Sequence, residues 1–72
     1  MATRHPEAYQ RLLARLRQAR QEAGFSQVAA AAALKAGQKY VSRVETGERR
    51  IDPLELRELA KLYGKPLEYF VE

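Results

Sequence analysis

Two short helical segments separated by a break lie in the middle of the chain, where residues 26–46 read SQVAAAAALKAGQKYVSRVET. Ser26 is typical of an N-cap, whose side-chain oxygen accepts a hydrogen bond from the first turn of a helix. The alanine-rich run after it has strong helix propensity, so we expect a helix over residues 27–34. After a three-residue break, a second helix is expected over residues 38–46, ended by Gly47. Two short helices joined by a tight turn form a helix-turn-helix.

The chain on either side of this segment predicts further short helices. Pro6 suits a first helical turn, and apolar residues then recur at steps of three and four until Gly24. The sequence DPLE at residues 52–55 combines an N-cap, a proline and a capping glutamate, and residues 67–71 form a last helix or turn. No strand-like alternation occurs. The sequence predicts an all-α, compact bundle of about five short helices, in a single domain over residues 1–72.

Charge is distributed unevenly along the chain, which has a net charge of +4. Residues 1–50 hold ten Lys and Arg against four Asp and Glu, whereas residues 51–72 hold three against five. A basic body with a more acidic end favours a polyanionic partner such as nucleic acid. Basic charge also serves solubility, so the charge alone does not identify the partner.

Several classes of protein are disfavoured by what the sequence lacks. Without cysteine, disulfides and thiolate zinc sites are excluded, and we expect no metal and no cofactor. The single histidine, His5, is not close to either serine, and no glycine-rich phosphate loop occurs, so we do not expect an enzyme. The longest apolar run, residues 28–34, is far shorter than the ~20 residues of a membrane helix. We therefore expect a cytoplasmic protein that does not enter a membrane.

The second helix of the motif presents one face that is entirely polar. On a helical projection, five polar residues share an arc of about 140°, opposite Val41 and Val44. They are Gln38, Lys39, Ser42, Arg43 and Thr46. This face holds no carboxylate, although Glu45 and Glu48 stand close by in sequence. Glutamine can pair with adenine and Arg or Lys with guanine, so the face suits the DNA major groove, although a plain solvated face has a similar composition.

Three stretches of the chain resemble the Cro/phage-repressor-like (XRE-type) helix-turn-helix family. They are residues 16–27 (LRQARQEAGFSQ), 40–50 (YVSRVETGERR) and 59–70 (LAKLYGKPLEYF). Their order and ungapped spacing make the resemblance specific, and it covers about residues 8–71. It implies a lambda-repressor-like DNA-binding domain with its helix-turn-helix over about residues 27–46. The implied function is a transcriptional regulator, most simply a repressor, that binds double-stranded DNA.

The resemblance implies two sets of DNA contacts. Base reading is expected of Gln38, Lys39, Ser42 and Arg43. Phosphate contacts are expected of Gln27, Tyr40, Thr46, Arg49 and Arg50. Four of these residues have alternatives: Gln27 would also brace the recognition helix, Tyr40 equally well packs inside the domain, and the two loop arginines also fit solvated charges.

The resemblance also implies a buried ion pair, and the chain departs from the family pattern in the turn between the two motif helices. The family's matching residues imply a structural salt bridge between Arg20 and Glu45, so Arg20 is not expected to touch DNA. The family places glycine where Lys35 stands, because the backbone there has a positive φ. Gly37 replaces the usual Ser or Thr cap of the recognition helix and would be a weaker N-cap.

Self-association is expected through the carboxy-terminal apolar segment. One recognition helix reads few base pairs, so we expect a homodimer on a pseudo-palindromic site. The expected dimer surface comprises Leu67, Tyr69, Phe70 and Val71, although Leu67 and Phe70 also fit the domain's own core. The alternative function is a protein-interaction module, either an antitoxin that binds a toxin or an adaptor.

Overall fold

The computed structural model describes residues 6–71, and within that range the chain folds into five α-helices. They are α1 (Pro6–Glu22), α2 (Gln27–Ala33), α3 (Tyr40–Thr46), α4 (Pro53–Tyr63) and α5 (Leu67–Val71). The predicted all-α bundle of about five helices is confirmed. His5 and the two ends of the predicted 1–72 domain lie outside the described residues.

The side chains predicted to cap two helices do so. The Ser26 hydroxyl accepts a hydrogen bond from the Ala29 amide at 3.0 Å at the start of α2. At the start of α4, the Glu55 amide donates to Asp52 Oδ1 at 2.8 Å, and the Asp52 amide donates to Glu55 Oε1 at 3.1 Å. This reciprocal capping box satisfies two amides that the helix itself cannot pair.

The backbone is left-handed at one residue before α3 and at one residue after it, and the conformational strain differs between the two. Gly47 ends α3 with φ 86°, and a Cβ there would lie 3.3 Å from Leu13 Cδ1. Lys35, in the turn after α2, has φ 56° and is the one non-glycine residue with positive φ in the described chain. The positive φ expected at this position is therefore present, and a residue with a Cβ there costs about 1 kcal/mol.

The core lies between α1 and three of the other helices. Helix α1 packs against α3, α4 and α5, and α2 packs against α3. The largest fully buried side chains are Leu16 of α1, Val44 of α3 and Phe70 of α5. Ala30 and Ala31 are 0% and 1% exposed, and their small side chains let α2 lie close to its neighbours. In residues 6–71, no helix combines the length and apolar character needed to cross a bilayer.

Candidate nucleic-acid interface

Helix α3 turns one apolar side inward and one polar side outward. Val41 and Val44 are buried in the core, at 2% and 1% exposure. Arg43 and Thr46 are exposed, and Ser42 is half-buried at the edge of the same side. The core thus determines the rotation of α3 and leaves the polar face predicted from the sequence directed outward.

Helix α3 begins two residues later than the sequence predicted. Gln38 and Lys39 were expected inside the helix, with Gly37 as its N-cap, but they form a turn in which the Tyr40 amide donates to the Gly37 carbonyl at 3.0 Å. Lys39 is the N-cap, and its side chain makes no capping bond. The expected cap was wrong because glycine offers no side-chain acceptor, so nothing at Gly37 marks the helix start. Gln38 and Lys39 remain exposed beside α3.

A buried ion pair joins α1 to α3 beneath the polar face. Arg20 donates from Nε to Glu45 Oε2 at 2.6 Å and from Nη2 to Oε1 at 3.2 Å. Its Nη1 also donates to the Phe25 carbonyl at 2.9 Å. The hydrogen bond to Glu45 raises the pKa of Arg20 above its usual value. The structure thus brings together the two residues expected to form a structural salt bridge, with Arg20 8% and Glu45 5% exposed.

Gln27 and Arg17 complete the surroundings of this carboxylate. Gln27, the first residue of α2, donates from Nε2 to Glu45 Oε1 at 3.1 Å, which is the bracing contact anticipated for it. Arg17 Nε lies 3.5 Å from the same oxygen. Sequence reasoning gave Arg17 no role. The signal that could have found it is its position three residues before Arg20, which puts both on one side of α1.

The outward face is not free of acidic groups. Glu48, in the loop after α3, places Oε2 3.4 Å from Arg43 Nε, with side chains 68% and 54% exposed. The expectation of a face without carboxylates was wrong in this respect, because the loop returns Glu48 toward the helix it follows. Thr46 Oγ1 donates to the Arg43 carbonyl at 3.2 Å, within the same turn.

The loop arginines both contact aromatic rings. Arg49 forms an ion pair with Glu55, with Nη2 2.8 Å from Oε2, and its guanidinium carbon lies 4.9 Å from the centre of the Tyr40 ring. Arg50 lies 4.9 Å from the centre of the Tyr9 ring. Tyr40 is partly buried against the core, and this burial raises its pKa to about 12. Tyr40 therefore packs inside the domain, which was one of its two expected roles.

The carboxy-terminal segment is divided between core and surface. Phe70 is 1% exposed, so it fills the domain's own core and cannot belong to the expected dimer surface. Tyr69 is half-buried under Arg15, whose Nη1 donates to the Tyr69 carbonyl at 2.7 Å. Leu67 and Val71 are 40% and 68% exposed. The available apolar surface is therefore smaller than the sequence suggested.

A helix-turn-helix family model, of the Cro/C1 XRE type, matches residues 16–70. The matched range contains α2 and α3, the loop after them, and most of α5. Searches of curated proteins and of solved structures found no significant match. In the part of the chain that the structure describes, no group of three or more acidic or histidine side chains is placed to hold a metal ion.

Proposed function

Because the chain belongs to the Cro/C1-type helix-turn-helix family of DNA-binding regulators, we propose that it is a repressor that binds a pseudo-palindromic operator as a homodimer. One observation carries the proposal: α3 directs its polar side outward while a buried ion pair holds the helix to α1. Residues that read bases must be held rigidly, and such a support provides this. In this proposal, residues 1–72 act as a single helix-turn-helix domain.

Base reading is assigned to four exposed or edge residues in and before α3. Gln38 and Lys39, in the turn, would lie deepest in the major groove, because the recognition helix contacts bases with its N-terminal residues. Ser42 and Arg43 would follow one turn later. Arginine can donate two hydrogen bonds to guanine and glutamine can pair with adenine, so this set favours a site containing both bases.

Phosphate contacts are assigned to residues around the rim of this face. Gln27 has a second amide hydrogen beyond the one given to Glu45, and Thr46 and Arg50 lie exposed at the other end of α3. Arg49 is held by Glu55, so a phosphate would have to share its guanidinium with that carboxylate. The contribution assigned to Tyr40 is indirect, through the ring on which Arg49 lies.

Dimerisation is assigned to Leu67 and Val71, which lie four residues apart on the same side of α5. Their exposed apolar surface would pair with a second copy and place two recognition helices ~34 Å apart on DNA. We expect Val71→Asp to weaken self-association in sedimentation while circular dichroism shows that the monomer stays folded. Leu54→Asp is the matched control, since Leu54 is also an exposed apolar residue, at 64% exposure, but lies on α4. Equal self-association of both variants would contradict this assignment.

Selection of bound duplexes from a random DNA library tests the proposed function. Near-physiological salt and competitor DNA are needed, because phosphate contacts alone give binding that fades steeply as salt rises. We expect enrichment of an inverted repeat with half-sites one helical turn apart. Salt-sensitive binding without enrichment would contradict the proposal and would favour an antitoxin or adaptor, whose target is a protein.

A further inference from the structure

The carboxylate of Glu45 has more cationic partners than its burial requires. Its side chain is 1% exposed and accepts two hydrogen bonds from Arg20 and one from Gln27. One buried negative charge is thus matched by one buried positive charge, with an amide on the remaining side. A buried carboxylate needs a partner of opposite charge and filled hydrogen-bonding positions, and Arg20 and Gln27 supply both.

Arg17 adds a second positive charge at the same place. Its Nε lies 3.5 Å from Glu45 Oε1, yet its side chain is 54% exposed. Among residues 6–71, no other carboxylate lies within 4 Å of its guanidinium. Arg17 contacts Glu45 through Nε, and more than half of its side chain is open to solvent. The junction of α1, α2 and α3 therefore carries one surplus positive charge at the surface.

We propose that Arg17 of α1 is a DNA-phosphate ligand that acts together with Gln27. The inference rests on the proposed DNA-binding function and extends the contact surface beyond the motif to α1. Arg17 Nε and Gln27 Nε2 lie within 3.5 Å and 3.1 Å of one oxygen, so a phosphate that reaches Gln27 also comes close to the arginine. Arginine binds phosphate with two parallel N–H groups, and the exposure of this side chain leaves it accessible to a phosphate.

The test is the salt dependence of binding for Arg17→Gln, measured with the duplex selected by the wild-type protein. Each phosphate contact adds about 0.9 to the slope of log affinity against log salt. We expect Arg17→Gln to lower the slope by about two contacts, one from each copy in the homodimer, and to weaken binding about fivefold for each contact near 0.15 M salt. Arg17→Lys should retain the slope, because it keeps the charge. The selected base sequence should not change, since phosphate contacts carry no sequence information.

Arg11→Gln is the matched control, because Arg11 is another exposed arginine of α1 on a different side of the helix. It removes the same charge, so it measures the effect of net charge alone. Equal slopes for Arg17→Gln and Arg11→Gln would overturn the proposal. A large fall in the melting temperature of Arg17→Gln would also overturn it, because Arg17 would then be structural. If the wild-type protein selects no duplex, the proposed function itself fails; if only the slope is unchanged, Arg17 alone fails.

Discussion

Two Arg–Glu pairs lie on opposite sides of α3, and they differ mainly in their exposure. Arg20 and Glu45 meet at 2.6 Å beneath α3, with side chains 10% and 1% exposed. Arg43 and Glu48 meet at 3.4 Å on its outward side, with side chains 54% and 68% exposed. Arg43 and Glu45, which lie close together on α3, therefore belong to Arg–Glu pairs in opposite environments. Burial, rather than the pairing itself, therefore decides whether an Arg–Glu pair is fixed in the structure or can open toward a ligand.

The physical basis is the solvation of the charges. Removing one partner of a buried pair leaves a charge without water and without a counter-ion, which is strongly destabilising. An exposed pair is screened by water and contributes ~0–1 kcal/mol. Arg43 can therefore leave Glu48 for a base at little cost, whereas Arg20 cannot leave Glu45 without weakening the attachment of α3 to α1.

The largest expected effect is the loss of the buried pair. Arg20→Ala should lower the free energy of unfolding by ~3–5 kcal/mol, because Glu45 would lose its buried partner and keep only the largely exposed Arg17 at 3.5 Å. DNA binding should be lost with the fold. Thermal and urea unfolding followed by circular dichroism measure the change, with Arg11→Ala as an exposed control that should shift stability by less than about 0.5 kcal/mol. A folded Arg20→Ala variant with an unchanged melting temperature would contradict the structural role of the buried pair.

Exposed basic residues beside α3 should affect DNA binding and not stability. Arg43→Ala or Lys39→Ala should cost ~1–3 kcal/mol of binding to the selected duplex and relax its sequence preference. Neither change should alter unfolding, since both side chains are exposed. Fluorescence anisotropy on matched and altered duplexes measures the affinities. The recognition role would be contradicted by full affinity in both variants, a result that an adaptor protein would give.

If the core rather than the turn supports α3, relieving the backbone strain at Lys35 should change stability without changing DNA binding. Lys35→Gly should stabilise the domain by about 1 kcal/mol, because glycine adopts φ 56° without a clash. Lys35→Ala is the control and should give no such gain, since alanine keeps the Cβ. Affinity for DNA should stay the same in both variants. A gain in Lys35→Ala equal to that in Lys35→Gly would show that strain at residue 35 is not the cause.

The smallest effect is expected from the exposed carboxylate. Glu48→Gln should change the free energy of unfolding by less than about 1 kcal/mol. It removes a negative charge beside the polar face, so binding to unrelated DNA at low salt should become tighter. Glu58→Gln, an exposed change of the same kind on α4, is the control. If both variants bind unrelated DNA equally, Glu48 has no local influence on the recognition face.

The sequence predicted most of the helix ends because short-range signals define them. Ser26, Asp52 and Gly47 act through bonds or backbone angles within a few residues, and such effects can be read from a single sequence. The start of α3 was misplaced because Gly37 and Lys39 provide no capping side chain. The turn there depends on how α3 packs its valines against the core, and a local pattern does not reveal that packing.

Contacts between long charged side chains were the least predictable part of the site. The Arg20–Glu45 pair was expected only because the chain resembles a family that has it. The contacts of Glu48 with Arg43 and of Glu55 with Arg49 depend on the path of the loop after α3, which no periodicity encodes. The separation of Phe70 into the core and Val71 onto the surface likewise depends on the angle at which α5 meets α1.

The most direct test of the account is a duplex selection repeated with Arg43→Ala, beside the wild-type protein. We propose that the outward side of α3 reads bases while the buried pair supports the helix, and this proposal is what the selection tests. We predict that the wild-type protein selects an inverted repeat, and that the variant loses preference at one symmetric pair of positions and keeps the others. Selection of the same full sequence by both proteins, or of no sequence by the wild-type protein, would contradict it.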